Sequence, residues 1–87
     1  MTETPLAFVI EDYMDQAMVF SKALEMAGYR VETILDGAAA KQRLSEVTPV
    51  LVLLDLHIPK VTGETLLRQI RSDERFQRTR VVLATAD

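Results

Sequence analysis

With 87 residues the chain has room for one small domain and not for two, burying about 60–65% of the surface its unfolded form would expose. Its 48% hydrophobic and 26% charged residues are the balance of an ordinary globular protein rather than a disordered or fibrous one. A net charge of −3 argues against a nucleic-acid footprint, while zero cysteines and one histidine exclude a disulfide framework and a Cys- or His-based zinc site, so any metal here is oxygen-bound.

The N-terminus is short and acidic, unlike a signal peptide, and no apolar run approaches the ~18 residues of a membrane span, so a cytoplasmic protein is expected. Residues 6–10 form an apolar run too brief for a helix and rich in β-formers, which predicts a buried strand ending in Glu11-Asp12. From Met14 the spacing turns helical. Met14, Ala17, Met18, Ser21, Leu24, Met26 and Ala27 make a stripe read as a core-facing helix, with the methionines as core filler and Gly28 as its stop. Residues 31–35 predict a strand nearer a sheet edge, followed by the turn signal Asp36-Gly37. Residues 38–46 predict a short helix, ended by Thr48-Pro49.

Residues 50–59, Val-Leu-Val-Leu-Leu-Asp-Leu-His-Ile-Pro, contain a continuous apolar run that ends on one carboxylate, Asp55. A strand apolar on both faces belongs at the centre of a parallel sheet covered by helices on both sides. The loop Lys60-Val61-Thr62-Gly63 leads into a helix over residues 64–71, with Leu66, Leu67 and Ile70 on its apolar face. Arg68, Arg71, Arg75, Arg78 and Arg80 are interrupted by Asp73 and Glu74 and read as a solvated face. Residues 80–85, with Val81, Val82, Leu83 and Ala84, predict a fourth strand.

Strands alternating with helices imply βα units with right-handed crossovers and a parallel sheet. All strands then point one way, so Glu11, Asp12, Asp55 and Thr85 gather at one edge, where ligands of such sheets collect. Three carboxylates sharing a pocket repel one another unless a divalent cation neutralises them. An all-oxygen site with few protein ligands suits Mg²⁺ better than Ca²⁺. A carboxylate beside Mg²⁺ can accept a phosphoryl group, giving a mixed anhydride at Asp55 to which the Thr85 hydroxyl offers a hydrogen bond.

The acidic pair Glu11-Asp12 after the first strand, the apolar strand ending in Asp55, Pro59 and Gly63 in the loop beyond it, and Thr85-Ala86 after the fourth strand together resemble the receiver domain of two-component response regulators. The likeness runs from Leu6 to Asp87. It implies a flavodoxin-like doubly wound α/β fold, with residues 1–87 as one partial receiver domain whose strand order is 2-1-3-4. It further implies Asp55 as phosphoacceptor, Thr85 as switch hydroxyl, and Mg²⁺ held by Asp12 directly, by Glu11 partly through water, by Asp55 and by the His57 backbone carbonyl. The implied donor is a histidine kinase or phosphotransfer protein, and the chain is a signalling domain rather than an enzyme.

The family continues through another helix, a fifth strand bearing a lysine for the phosphoryl oxygens, and a final helix. This chain stops at Asp87, with Lys60 the nearest substitute by sequence, and so reads as a receiver truncated after its fourth strand. Such a chain exposes the fourth strand as an open edge, from which a homo-oligomer is expected. Three other kinds of protein make different demands on these residues. A flavodoxin-type mononucleotide binder conflicts with Glu11-Asp12, which would repel a phosphate. A haloacid-dehalogenase-like phosphatase needs a second Asp where His57 stands. A purely structural or oligomerisation module without phosphoryl chemistry is the stronger rival.

Overall fold

The structure is a computed structural model and describes residues 4–58 and 60–84. Four strands, β1 (Leu6–Ile10), β2 (Arg30–Ile34), β3 (Leu51–Leu54) and β4 (Arg80–Leu83), alternate with α1 (Met14–Met26), α2 (Gly37–Leu44) and α3 (Gly63–Ser72). A 3₁₀ turn, Glu74–Phe76, precedes β4. The strands form one parallel sheet in the order β2-β1-β3-β4. This is the flavodoxin-like α/β arrangement, with β2 at one edge as its weaker alternation predicts.

Strand alternation assigns the two faces. Phe8, Ile10, Val52 and Leu54 point to one side and pack with Ala40, Leu44, Leu66, Ile70 and Phe76 from α2, α3 and the 3₁₀ turn. On that side Glu32 of β2 meets Arg43 of α2 through two hydrogen bonds of 2.7 and 2.8 Å. Thr33, one residue on, therefore faces the other way, where its hydroxyl meets Ser21 of α1 at 2.8 Å. The helices thus sandwich the sheet, with α1 alone on one face among the described residues. In β1, Ala7 and Val9 are buried as fully as Phe8 and Ile10 on the opposite face, and in β3 Leu51, Val52 and Leu54 are buried with Leu53 half-buried.

Helix starts follow from side-chain caps. Asp36 Oδ1 accepts from the Ala39 amide at 2.8 Å, and Thr62 Oγ1 from the Thr65 amide at 3.2 Å. Asp36-Gly37 is therefore the cap and first residue of α2 rather than a separate turn. Val50 is nearly half exposed and stands outside β3, a correction to the run that began there. The α1 stripe also needs correcting. Ala17 is buried, and Phe20, Ser21 and Leu24 lie with it at helical spacing, but Met14, Met18 and Met26 are exposed and fill no core. The helix sits over β1 and β2, so only the face turned to those strands is covered.

Candidate functional site

Register builds the site. Ile10 and Leu54 are paired neighbours at the carboxyl ends of β1 and β3, so the next residues, Glu11 and Asp55, leave the sheet side by side. The Asp55 amide donates to Ile10 O at 3.0 Å and the Glu11 amide to Ile34 O at 2.9 Å, so the ladder extends to both acidic residues. Glu11 is 3% and Asp55 9% exposed, whereas Asp12 is open to solvent. Carboxylate oxygens of Glu11, Asp12 and Asp55 all lie within 4.8 Å of one another. The three acidic residues expected at the edge are brought together.

Local donors hold two of them. The His57 main-chain N–H donates to Asp55 Oδ1 at 3.0 Å, and the Tyr13 main-chain N–H donates to Glu11 Oε2 at 3.4 Å. Burial pushes the Glu11 carboxyl up to about 7, with its hydrogen bond to Asp55 and the charge of that neighbour adding to the effect and the Tyr13 amide opposing it. Among the described residues no lysine or arginine forms an ion pair with any of the three carboxylates. Lys60 turns elsewhere, its Nζ 3.9 Å from Asp36 Oδ2, and does not replace the family's lysine. An all-oxygen cluster with no cationic partner has the donor chemistry for a hard divalent ion, and these residues could hold one.

The Thr85 hydroxyl and Pro59 lie outside the described residues. The His57 side chain is exposed. Sequence reasoning missed the Tyr13 amide as a donor to Glu11, which no side-chain pattern signals. It also missed Asp36 as a neighbour of the site loop, although an Asp two residues before an alanine run carried the signal of a helix cap.

A family model described as the response regulator receiver domain matches residues 7–87. The chain is 37% identical over 82 residues to the DNA-binding dual master transcriptional regulator RpaA of Synechocystis sp., covering 94% of this chain and 34% of that protein. It is 35% identical over 82 residues to the phosphate regulon transcriptional regulatory protein PhoB of Rhizobium meliloti, covering 94% of this chain and 36% of that one. The chain thus spans about a third of the length of these curated relatives. A solved CheY-like response regulator receiver domain from Methylobacillus flagellatus superposes with a TM-score of 0.85 at 26% identity, covering 98% of this chain and 72% of that one. With the strand order, the acidic cluster and these likenesses in agreement, the chain belongs to the response regulator receiver domain family.

Proposed function

We propose that residues 1–87 form a partial receiver domain that takes a phosphoryl group onto Asp55 from a histidine kinase or phosphotransfer protein. The observation that carries this reading is the meeting of three carboxylate oxygens within 4.8 Å at the end of the central strand, without a cationic partner among the described residues. Glu11, Asp12, Asp55 and the His57 main-chain carbonyl would hold Mg²⁺. When bound, Mg²⁺ neutralises charge on the transferring phosphoryl oxygens. A carboxylate oxygen of Asp55 attacks phosphorus, the bond from phosphorus to the donor nitrogen breaks, and the imidazole leaves with the electron pair. The His57 amide, already on Asp55 Oδ1, orients the carboxylate so that its other oxygen is the nucleophile. The Thr85 hydroxyl then hydrogen-bonds the phosphoryl group. The domain acts as a phosphoacceptor rather than as an enzyme, in the cytoplasm, without direct contact to nucleic acid or membrane. No helix among the described residues is long and apolar enough to cross a bilayer.

Acetyl phosphate and Mg²⁺ test this with the 87-residue chain. One phosphoryl group should add to the wild type and none to Asp55→Asn or to a chelator-treated sample. Labelling that survives Asp55→Asn, or a wild type that takes no label, contradicts the reading.

The outer edge of β4 favours a second element of the proposal. Among the described residues β4 pairs with β3 alone, and Val82 and Leu83 on it are each 48% exposed. We infer that the 87-residue chain self-associates through this edge, two copies meeting across a two-fold axis. The same edge supports the rival reading, assembly without phosphoryl chemistry, and acetyl phosphate labelling separates the two.

A further inference from the structure

The loop between β3 and α3 is clamped from outside by the start of α2. A Cβ built on Gly37 would lie 2.6 Å from the Val61 carbonyl carbon and 2.8 Å from Val61 Cβ, and nearer still to the Val61 carbonyl oxygen. Asp36, one residue earlier, caps α2 with Oδ1 and holds Oδ2 3.9 Å from Lys60 Nζ. Lys60 itself sits at φ 73°, a left-handed conformation that a non-glycine residue keeps only when its surroundings impose it. The far side of the loop returns to the acidic residue, for a Cβ on Gly63 would lie 2.6 Å from Asp55 O, and the Gly63 amide donates to Leu56 O at 3.3 Å. Ile58, between them, is buried in the core. A contiguous packed path therefore runs from α2 through Val61 and Gly63 to Asp55.

We propose that Asp36 and Gly37 are positioning residues for the phosphoacceptor loop. Gly37 supplies the only side-chain size that lets the α2 start seat against Val61, and that seat fixes the backbone on which the His57 amide meets Asp55. The inference rests on the reading of Asp55 as phosphoacceptor, and its test includes a readout independent of labelling. Gly37→Ala must push the Val61 backbone outward, and displacements of about 1 Å near reacting groups cost up to ~10²-fold in rate.

Four proteins are compared: wild type, Gly37→Ala, Gly37→Ala with Val61→Gly, and Gly28→Ala. Gly28 has φ 103° and open space around it, so its alanine variant destabilises the fold without touching the loop. Gly37→Ala should speed exchange of the His57 amide about tenfold relative to β1 amides and slow Mg²⁺-dependent labelling by acetyl phosphate at least about tenfold. Val61→Gly should recover part of both, and Gly28→Ala should leave labelling within about twofold. If Gly37→Ala behaves as Gly28→Ala does in both readouts, the inference is overturned. Should the wild type take no label, the phosphoacceptor reading fails while His57 exchange still decides whether α2 positions the loop. Should Gly37→Ala not fold, Lys60→Gly takes its place, because it relieves the left-handed strain while releasing Asp36. Stability kept or raised together with slower labelling and faster His57 exchange supports the clamp, and unchanged labelling and exchange overturn it.

Discussion

Glu11 is the acidic residue with the strongest imprint of its surroundings. Its carboxyl is raised from 4.5 to about 7 by burial and by Asp55, so between those values the folded chain binds more protons than the unfolded one. The stability this group contributes is fully present below pH 4.5 and is lost as pH rises through about 7. Thermal melts in chelator from about pH 5 to about pH 8 should therefore show a falling midpoint across that window. Saturating Mg²⁺ should lift the midpoint most at the alkaline end, where Glu11 is ionised and available as a ligand. A midpoint that climbs through the same window in chelator would show that Glu11 is not the proton-holding residue. Glu11, Asp12 and Asp55 were legible in the sequence because parallel strands deliver their carboxyl-terminal residues to one edge. The Tyr13 and His57 amides were not, since main-chain donors depend on the turn each backbone makes after its strand.

Among elements, the strands and the caps were the most readable and α1 the least. A run apolar at every position has one home in such a sheet, and β1 and β3 occupy it. A helical stripe of methionines shows which residues share a face but not whether that face finds a neighbour. Only the Ala17, Phe20, Ser21 and Leu24 side of α1 meets β1 and β2. Phe76 went unnoticed because a single aromatic among charged residues makes no periodic signal, yet it is fully buried in the core. Arg75, over its ring at 4.5 Å, also donates to Leu44 O, and Arg71 donates to Thr79 O at 2.7 Å, so two of the arginines read as merely solvated tie elements together. These positions give opposite expectations for stability. Phe76→Ala should cost about 3–5 kcal/mol, and Met18→Gln should stay within about 0.5 kcal/mol. Urea denaturation of the two variants checks both, and a loss above about 2 kcal/mol for Met18→Gln would restore the methionines to the core.

At the scale of the whole molecule the radius of gyration, 12.0 Å, is that of a compact domain of this length, since the size relation gives about 12 Å. Among the described residues, Val82 and Leu83 on β4 and Met18, Val19 and Met26 on the outward face of α1 leave apolar side chains exposed. Light scattering should find a concentration-dependent dimer of the 87-residue chain, and Val82→Lys should abolish it by placing a charge on the open edge. A single 9.8 kDa species at every concentration would contradict association through β4. The order β2-β1-β3-β4 followed from alternating element types together with the family likeness, whereas exposure of the α1 stripe depended on three-dimensional cover that no local pattern contains.

Everything converges on one carboxylate, so the most direct test asks where the phosphoryl group resides. An aspartyl phosphate is a mixed anhydride, which borohydride reduces to homoserine while leaving free carboxylates intact. After treatment with acetyl phosphate and Mg²⁺, reduction and fragment mass analysis should find homoserine at position 55 and aspartate or glutamate unchanged at positions 11, 12 and 36. Homoserine at any other position, or none at 55 in a sample that carries the label, would contradict Asp55 as the phosphoacceptor.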